Sequence, residues 1–188
     1  MKLNTDRIVS LSAMAVGVGS LFIILYQTHL MREAQHASAL PYLAVAVQSG
    51  DDGVYLTLRN VGVGPALIED VRVRSGRELF DGDAYEFYAR LRPDPFAGRL
   101  SVDPVMRGRL LPAGETIQML GMGGEAGGGE MLADLLRRFE IAEVPESWYD
   151  GVGAARRGPQ KAVLEITYSS IYGERWRIRS NAIVPDEL

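Results

Sequence analysis

Two periods of apolar and polar residues run along the chain, and they meet near Pro41. From Ile8 to Tyr26 the sequence IVSLSAMAVGVGSLFIILY holds nineteen residues without Asp, Glu, Lys or Arg. As a helix rising about 1.5 Å per residue it spans roughly 28 Å, close to the ~30 Å hydrocarbon core of a bilayer. No water satisfies backbone amides there, so a single segment crosses as a helix. The pattern predicts a short flank (1–7), a transmembrane helix (8–26) and a helical stem (27–40). The stem holds no Gly or Pro until Pro41, which disfavours helix in the residue before it.

Past Pro41 the period becomes two. Leu43, Val45 and Val47 read as one face of a first strand, and Val54, Leu56 and Leu58 as one face of a second. Ser49-Gly50-Asp51-Asp52-Gly53 between them is turn chemistry and predicts a hairpin. Asn60-Val61-Gly62-Val63-Gly64-Pro65-Ala66 predicts a sharp crossover before a strand over Leu67–Val73. Its glycines are expected to supply positive φ and its Asn to bond the local backbone. In the last hairpin Leu164, Ile166, Tyr168, Trp176 and Ile178 share the core face. Pairing like faces with Glu165 opposite Arg179 leaves the loop Ile171-Tyr172-Gly173, with glycine where a left-handed residue is wanted. The outward arginines Arg175, Arg177 and Arg179 then read either as an anion site or as a face stapled by Glu165.

Two stripes of period 3.6 interrupt the strands. Ala84, Phe87, Tyr88 and Leu91 predict a helix near 84–92 with Asp83 as its N-cap, and Leu132, Leu135, Leu136 and Phe139 predict another near 130–140. Pro93–Arg109 and Pro145–Pro159 are expected to be long loops, the usual seat of binding. Phe96, Trp148 and Tyr149 in those loops are the candidate interaction residues, with anchoring to the core as the competing reading.

The segment LTLRNVGVGPALIEDVRV resembles the N-x-G-x-G-P-A strand–bend–strand of a group of uncharacterised bacterial single-span membrane proteins. The Leu111–Glu115 turn (LPAG-E) and the Tyr168–Trp176 hairpin are similar to that group as well. The resemblance implies a mainly β architecture over 41–188: an immunoglobulin-like antiparallel β-sandwich with two inserted helices, behind a transmembrane helix and stem. It implies no activity.

Charge sharpens the picture. Residues 41–188 carry 17 Arg and Lys against 22 Asp and Glu, a net of −5, which argues against nucleic acid as a partner. Lys2 and Arg7 precede the span, while Arg32 follows it beside Glu33. This bias favours an inside N-terminus, an exported domain, and single-pass residence in the bacterial inner (cytoplasmic) membrane. Ala37-Ser38-Ala39 has the small-x-small form of a cleavage site. The run before it is longer than a signal peptide's apolar region, so an uncleaved anchor is expected. Ala13/Gly17 and Ala15/Gly19 form small-xxx-small pairs, the candidate face for a homodimer in the membrane.

Chemistry is sparse. The chain has no Cys, and both histidines, His29 and His36, lie in the stem. Ser–His–Asp hydrolysis and thiolate or histidine-ligated metal sites in the domain are therefore excluded. Gly121-Met122-Gly123-Gly124-Glu125-Ala126 approximates a strand–GxGxxA–helix phosphate loop, but three further glycines delay the helix and no parallel βαβ unit surrounds it. Asp81, Asp83 and Glu86 cluster at a turn without the spacing of a calcium loop and read as helix-capping charges. The expectation is a membrane-anchored, non-catalytic interaction or accessory module of an envelope complex. It touches the bilayer through 8–26, has a protein partner, and uses no cofactor or metal. The alternatives are a ligand- or nucleotide-binding enzyme built on the Gly121–Gly129 loop, or the same anchored domain facing the cytosol as a partner of a membrane machine.

Overall fold

The structure is a computed structural model that describes residues 5–50, 53–91, 100–123, 133–144 and 161–188. The chain divides into two units, Met1–Ser38 and Ala39–Leu188. The first is one helix, α1 (Thr5–Ala37). Within it Arg7–Arg32 has a mean hydropathy of 2.4 and enough length to cross a membrane. The helix stops at Ala37, three residues short of the expected stem end. Leu40 lies outside it, and its carbonyl accepts bonds from the N–H groups of Val63 and Gly64.

The second unit is mainly β, and its sheets are antiparallel. Strands β1 (Leu43–Gly50), β2 (Gly53–Asn60), β3 (Ala66–Ser75) and β4 (Glu78–Asp81) precede helix α2 (Ala84–Leu91). After it come β5 (Leu100–Ser101), β6 (Leu110–Leu111), β7 (Thr116–Gly123), β8 (Ala162–Ser169), β9 (Arg175–Arg179) and β10 (Asp186–Glu187). One sheet has the order β1-β2-β7-β5, and the other β10-β9-β8-β3-β4 with β6 also on β3. Leu43, Val45, Leu56, Leu58 and Ile117 of the first sheet share one buried cluster with Ile68, Val73, Leu164, Ile166 and Ile178 of the second. Residues 133–138 are helical and bury Leu135 and Leu136. Behind them Phe139 bridges Ala162, and Glu143 bridges Ala46, so one short segment touches both sheets.

Both expected hairpins form. The first pairs Gly50 with Gly53, and the second pairs Glu165 with Arg179, with Gly173 left-handed at φ 89°. Two irregularities lie outside a simple period of two. Ile68 faces Tyr168 while Asp70 faces Thr167, so Glu69 is the extra residue of a bulge that returns Val71 to the core. Likewise Leu56 faces Leu120 and Thr57 faces Gln118, which leaves Met119 as an extra residue. Leu91 corrects the first helical stripe: Ala84, Phe87 and Tyr88 are buried, but Leu91 is 47% exposed.

The crossover glycines do a different job from the one expected. Neither Gly62 nor Gly64 is among the positive-φ glycines. A Cβ on Gly62 would lie 2.5 Å from the Leu40 carbonyl oxygen, and one on Gly64 would overlap the backbone of Ala39. They are glycines because the chain entering the domain passes directly over them. Asn60 binds this crossing together. Its Oδ1 accepts from Tyr42 N (3.2 Å) and Gly62 N (3.1 Å), and its Nδ2 donates to the carbonyls of Gly64 (2.8 Å) and Leu111 (3.0 Å). Its backbone N–H donates to Glu115 O, and its carbonyl accepts from Gly114 N. The N-x-G-x-G-P-A bend and the LPAG-E turn are thus two halves of one knot around a fully buried amide.

Candidate interaction surfaces

The outward face of the β10-β9-β8-β3-β4 sheet is charged and internally paired. Glu165, only 8% exposed, takes Arg74 at 2.8 Å and Arg179 at 4.0 Å, while Arg179 also reaches Asp186 at 2.7 Å. Arg175 pairs with Glu69 at 2.6 Å and Arg72 with Asp70 at 2.8 Å. Of the two readings of the arginine row, the stapled face fits: Arg175 and Arg179 both carry carboxylate partners. A shallow depression of about 120 Å³ opens between Arg72, Arg74, Thr167 and Arg177, with Asp70 and Glu165 in its wall.

A larger groove of about 250 Å³ lies beside β4 and α2, lined by Val73, Leu79, Phe80, Phe87, Arg90 and Leu91. Its wall is an aromatic relay: Phe80 to Phe87 and Phe87 to Phe139 each have centroids 5.8 Å apart, and the Arg90 guanidinium stands over Phe80. The helix that forms this wall is fixed by a capping box. Asp83 Oδ1 accepts from Glu86 N (2.8 Å), and Glu86 Oε2 accepts from Asp83 N (3.3 Å). Burial chiefly, with the neighbouring Glu86 charge, pushes the Asp83 carboxyl up despite these bonds. Asp81 turns away to Arg72 at 3.8 Å, so the acidic cluster of the sequence is divided between a cap and an ion pair. Strand β4 pairs only with β3 among the described residues and forms an edge of the sheet.

Polar groups inside the domain serve the scaffold. Tyr88 donates to Asp134 at 2.6 Å, and Arg138 reaches the same oxygen at 2.8 Å, tying α2 to residues 133–138. Lys161 donates to the Leu136 carbonyl at 2.7 Å, and burial pushes its pKa down. No buried side-chain N or O lacks a hydrogen-bond partner among the described residues. Of the glycine run, Gly121–Gly123 belongs to β7, antiparallel to both β2 and β5. A Cβ on Gly121 would lie 2.6 Å from the Val54 carbonyl oxygen and overlap the Tyr55 ring, so this glycine serves sheet packing. The remainder, residues 124–129, lies outside the described residues, as do Phe96, Trp148 and Tyr149. Ala13, Ala15, Gly17 and Gly19 lie on α1, and a Cβ on Gly17 or Gly19 would meet nothing within 4 Å.

The β4–α2 groove was not visible in the sequence; its signal was Leu91, the member of the helical stripe that the core does not take. No family model, curated protein or solved structure matches the chain.

Proposed function

We propose that the protein is a membrane-anchored, non-catalytic interaction module of a bacterial envelope complex. In this reading residues 8–26 hold it in the inner membrane, and an immunoglobulin-like β-sandwich with two inserted helices stands outside the cytosol. It belongs beside the single-span N-x-G-x-G-P-A proteins that it resembles. One observation carries the reading: a groove with aromatic and aliphatic walls and the polar side chains of Ser75, Glu78 and Arg90 runs alongside an edge strand, with Leu79 and Leu91 about half exposed at its mouth. An extended segment of a partner protein pairs with β4 through its backbone and sets an apolar side chain against Phe80 and Leu91, the strand-addition mode of recognition. Asp83 and Glu86 serve as a helix cap, and Asp81 and Glu165 in ion pairs, which favours this reading over an enzyme.

Photocrosslinkers placed at Leu79 and Leu91 in growing cells test it. They should trap one discrete protein partner that a crosslinker at Ser49 does not. Adducts equal at all three positions, or absent from the groove, refute it. Orientation is read separately from a Ser49→Cys variant treated with a membrane-impermeant maleimide on spheroplasts. Labelling before lysis supports the exported domain, and labelling only after lysis moves the partner search to the cytosol.

A further inference from the structure

Five exposed aliphatic side chains of the domain gather at one end, while others, among them Leu79 on β4, Leu91 on α2 and Val184 after β9, lie elsewhere. Strands β1, β3, β7 and β9 begin there, and β2 and β8 end there. Leu40 is bonded through its carbonyl to Val63 N, and Val61 N to the carbonyl of Tyr42. Leu110 pairs with Leu67, which also faces Ser169, and Ile171 caps the adjoining β8–β9 turn. Backbone bonds thus bring Leu40, Val61, Val63, Leu110 and Ile171 to a common rim, and all five are exposed, Val63 by 67% and Ile171 by 61%. The far end, with the Gly50–Gly53 and Ser75–Glu78 turns, shows Ser49, Arg77 and Glu78, with Leu79 as the one exposed aliphatic residue beside them.

The apolar end is also the end where the chain arrives from α1. Leu40 is the third residue past Ala37, and eight residues, of which Arg32–Ala37 are helical, separate it from Met31, the last large apolar residue of the helix. Six helical residues rise about 9 Å, comparable to the headgroup layer of one leaflet. We propose that this rim is a second membrane contact, in which Val61, Val63 and Ile171 insert shallowly among the lipid headgroups and hold the domain down on the bilayer. Aliphatic side chains on a tethered surface partition into that layer because burial removes them from water and the tether has already supplied the proximity. The domain's net charge of −5 opposes anionic lipid, so the contact is apolar and persists in zwitterionic vesicles and at high salt.

The inference rests on the membrane-anchor reading, and the test separates the two. The chain contains no Cys, so single cysteines at Val63, Ile171, Ser49 and Ile23 each carry one environment-sensitive nitrobenzoxadiazole label. The full chain is reconstituted into phosphatidylcholine vesicles with headgroup-level nitroxide lipid. Labels at Val63 and Ile171 should shift to the blue and lose intensity to the shallow nitroxide, unchanged by salt, while the Ser49 label stays in water. If Val63 and Ile171 match Ser49 while Ile23 is quenched from within the bilayer, the anchor stands and the rim contact is refuted. If Ile23 also reports water, the anchor itself is refuted and the rim contact falls with it.

Discussion

Replacing Asn60 by Ala removes a carboxamide that makes four side-chain hydrogen bonds at a site with no solvent exposure. The Gly64 and Leu111 carbonyls are buried with it, whereas the Tyr42 and Gly62 N–H groups belong to partly exposed residues and can turn to water. Each buried group left without a partner costs about 1–3 kcal/mol. Two such carbonyls give a loss of roughly 2–6 kcal/mol, a large part of the ~5–15 kcal/mol that holds a domain folded. Urea unfolding of the full chain in detergent micelles, followed by tryptophan fluorescence, measures it, because Trp176 stacks on Tyr168 only in the native hairpin. The isosteric Asn60→Asp variant adds a sign. It sets a carboxylate oxygen against two carbonyls, which raises its folded pKa above the ordinary ~3.9. A raised folded pKa means that the variant is at its best below that value and loses stability, relative to wild type, as pH rises through the folded pKa. An Asn60→Ala loss under about 1 kcal/mol, or an Asn60→Asp difference from wild type that ignores pH, would refute the hub.

Three further outcomes follow from the same contacts. Gly62→Ala and Gly64→Ala should each lower the urea midpoint, because the new methyl meets backbone that cannot swing aside, whereas Gly17→Ala in α1 should leave the domain transition in place. The buried Tyr168 phenol, pushed up to about 12, contributes stability that is complete below the usual ~10 and is lost as pH rises towards 12. Absorbance titration should show one tyrosine ionising last or together with unfolding; a single phase at the ordinary value would contradict the burial. Asp83→Ala should cost about 1 kcal/mol through the lost cap, and Asp83→Asn less, since it keeps the acceptor and sheds a charge that burial disfavours. Equal losses in thermal melts of the two variants would show that the bond to Glu86 N is not what matters.

Local rules recovered what local chemistry decides. The β8–β9 register follows from parity and loop length together: Tyr168 and Trp176 on one core face require an even position sum, and the loop with Gly173 as its left-handed residue fits the sum that sets Glu165 opposite Arg179. The capping box at Asp83–Glu86 was half legible, since the cap was expected but the return bond from Glu86 was not. The bulges show where such rules stop. Ile68-Glu69-Asp70-Val71 breaks the period of two, and that break was a signal, but choosing the extra residue requires knowing that Tyr168 lies opposite. Gly62 and Gly64 fail differently. Next to a proline they read as turn glycines, while their real constraint is residues 39–42, a whole hairpin away in sequence.

The same distinction explains why the surfaces were harder to read than the fold. Glu165 could be assigned one arginine from its own hairpin, but Arg74 comes from β3, and only the order β9-β8-β3 places it across the carboxylate from Arg179. Glu69 from β3 on Arg175 and Asp186 from β10 on Arg179 are what neutralise the row of arginines, so the property that decides between an anion site and a scaffold is tertiary. Val61 and Val63 share the β2–β3 crossover, Leu110 lies on β6 and Ile171 in the β8–β9 turn, and none of them marks a surface by itself. They become one when the sheets bring four connections to the same end, and the polypeptide enters the domain at that end. A domain that needed only solubility would gain nothing by concentrating aliphatics where its tether attaches. One that rests on the bilayer would place a group of them there.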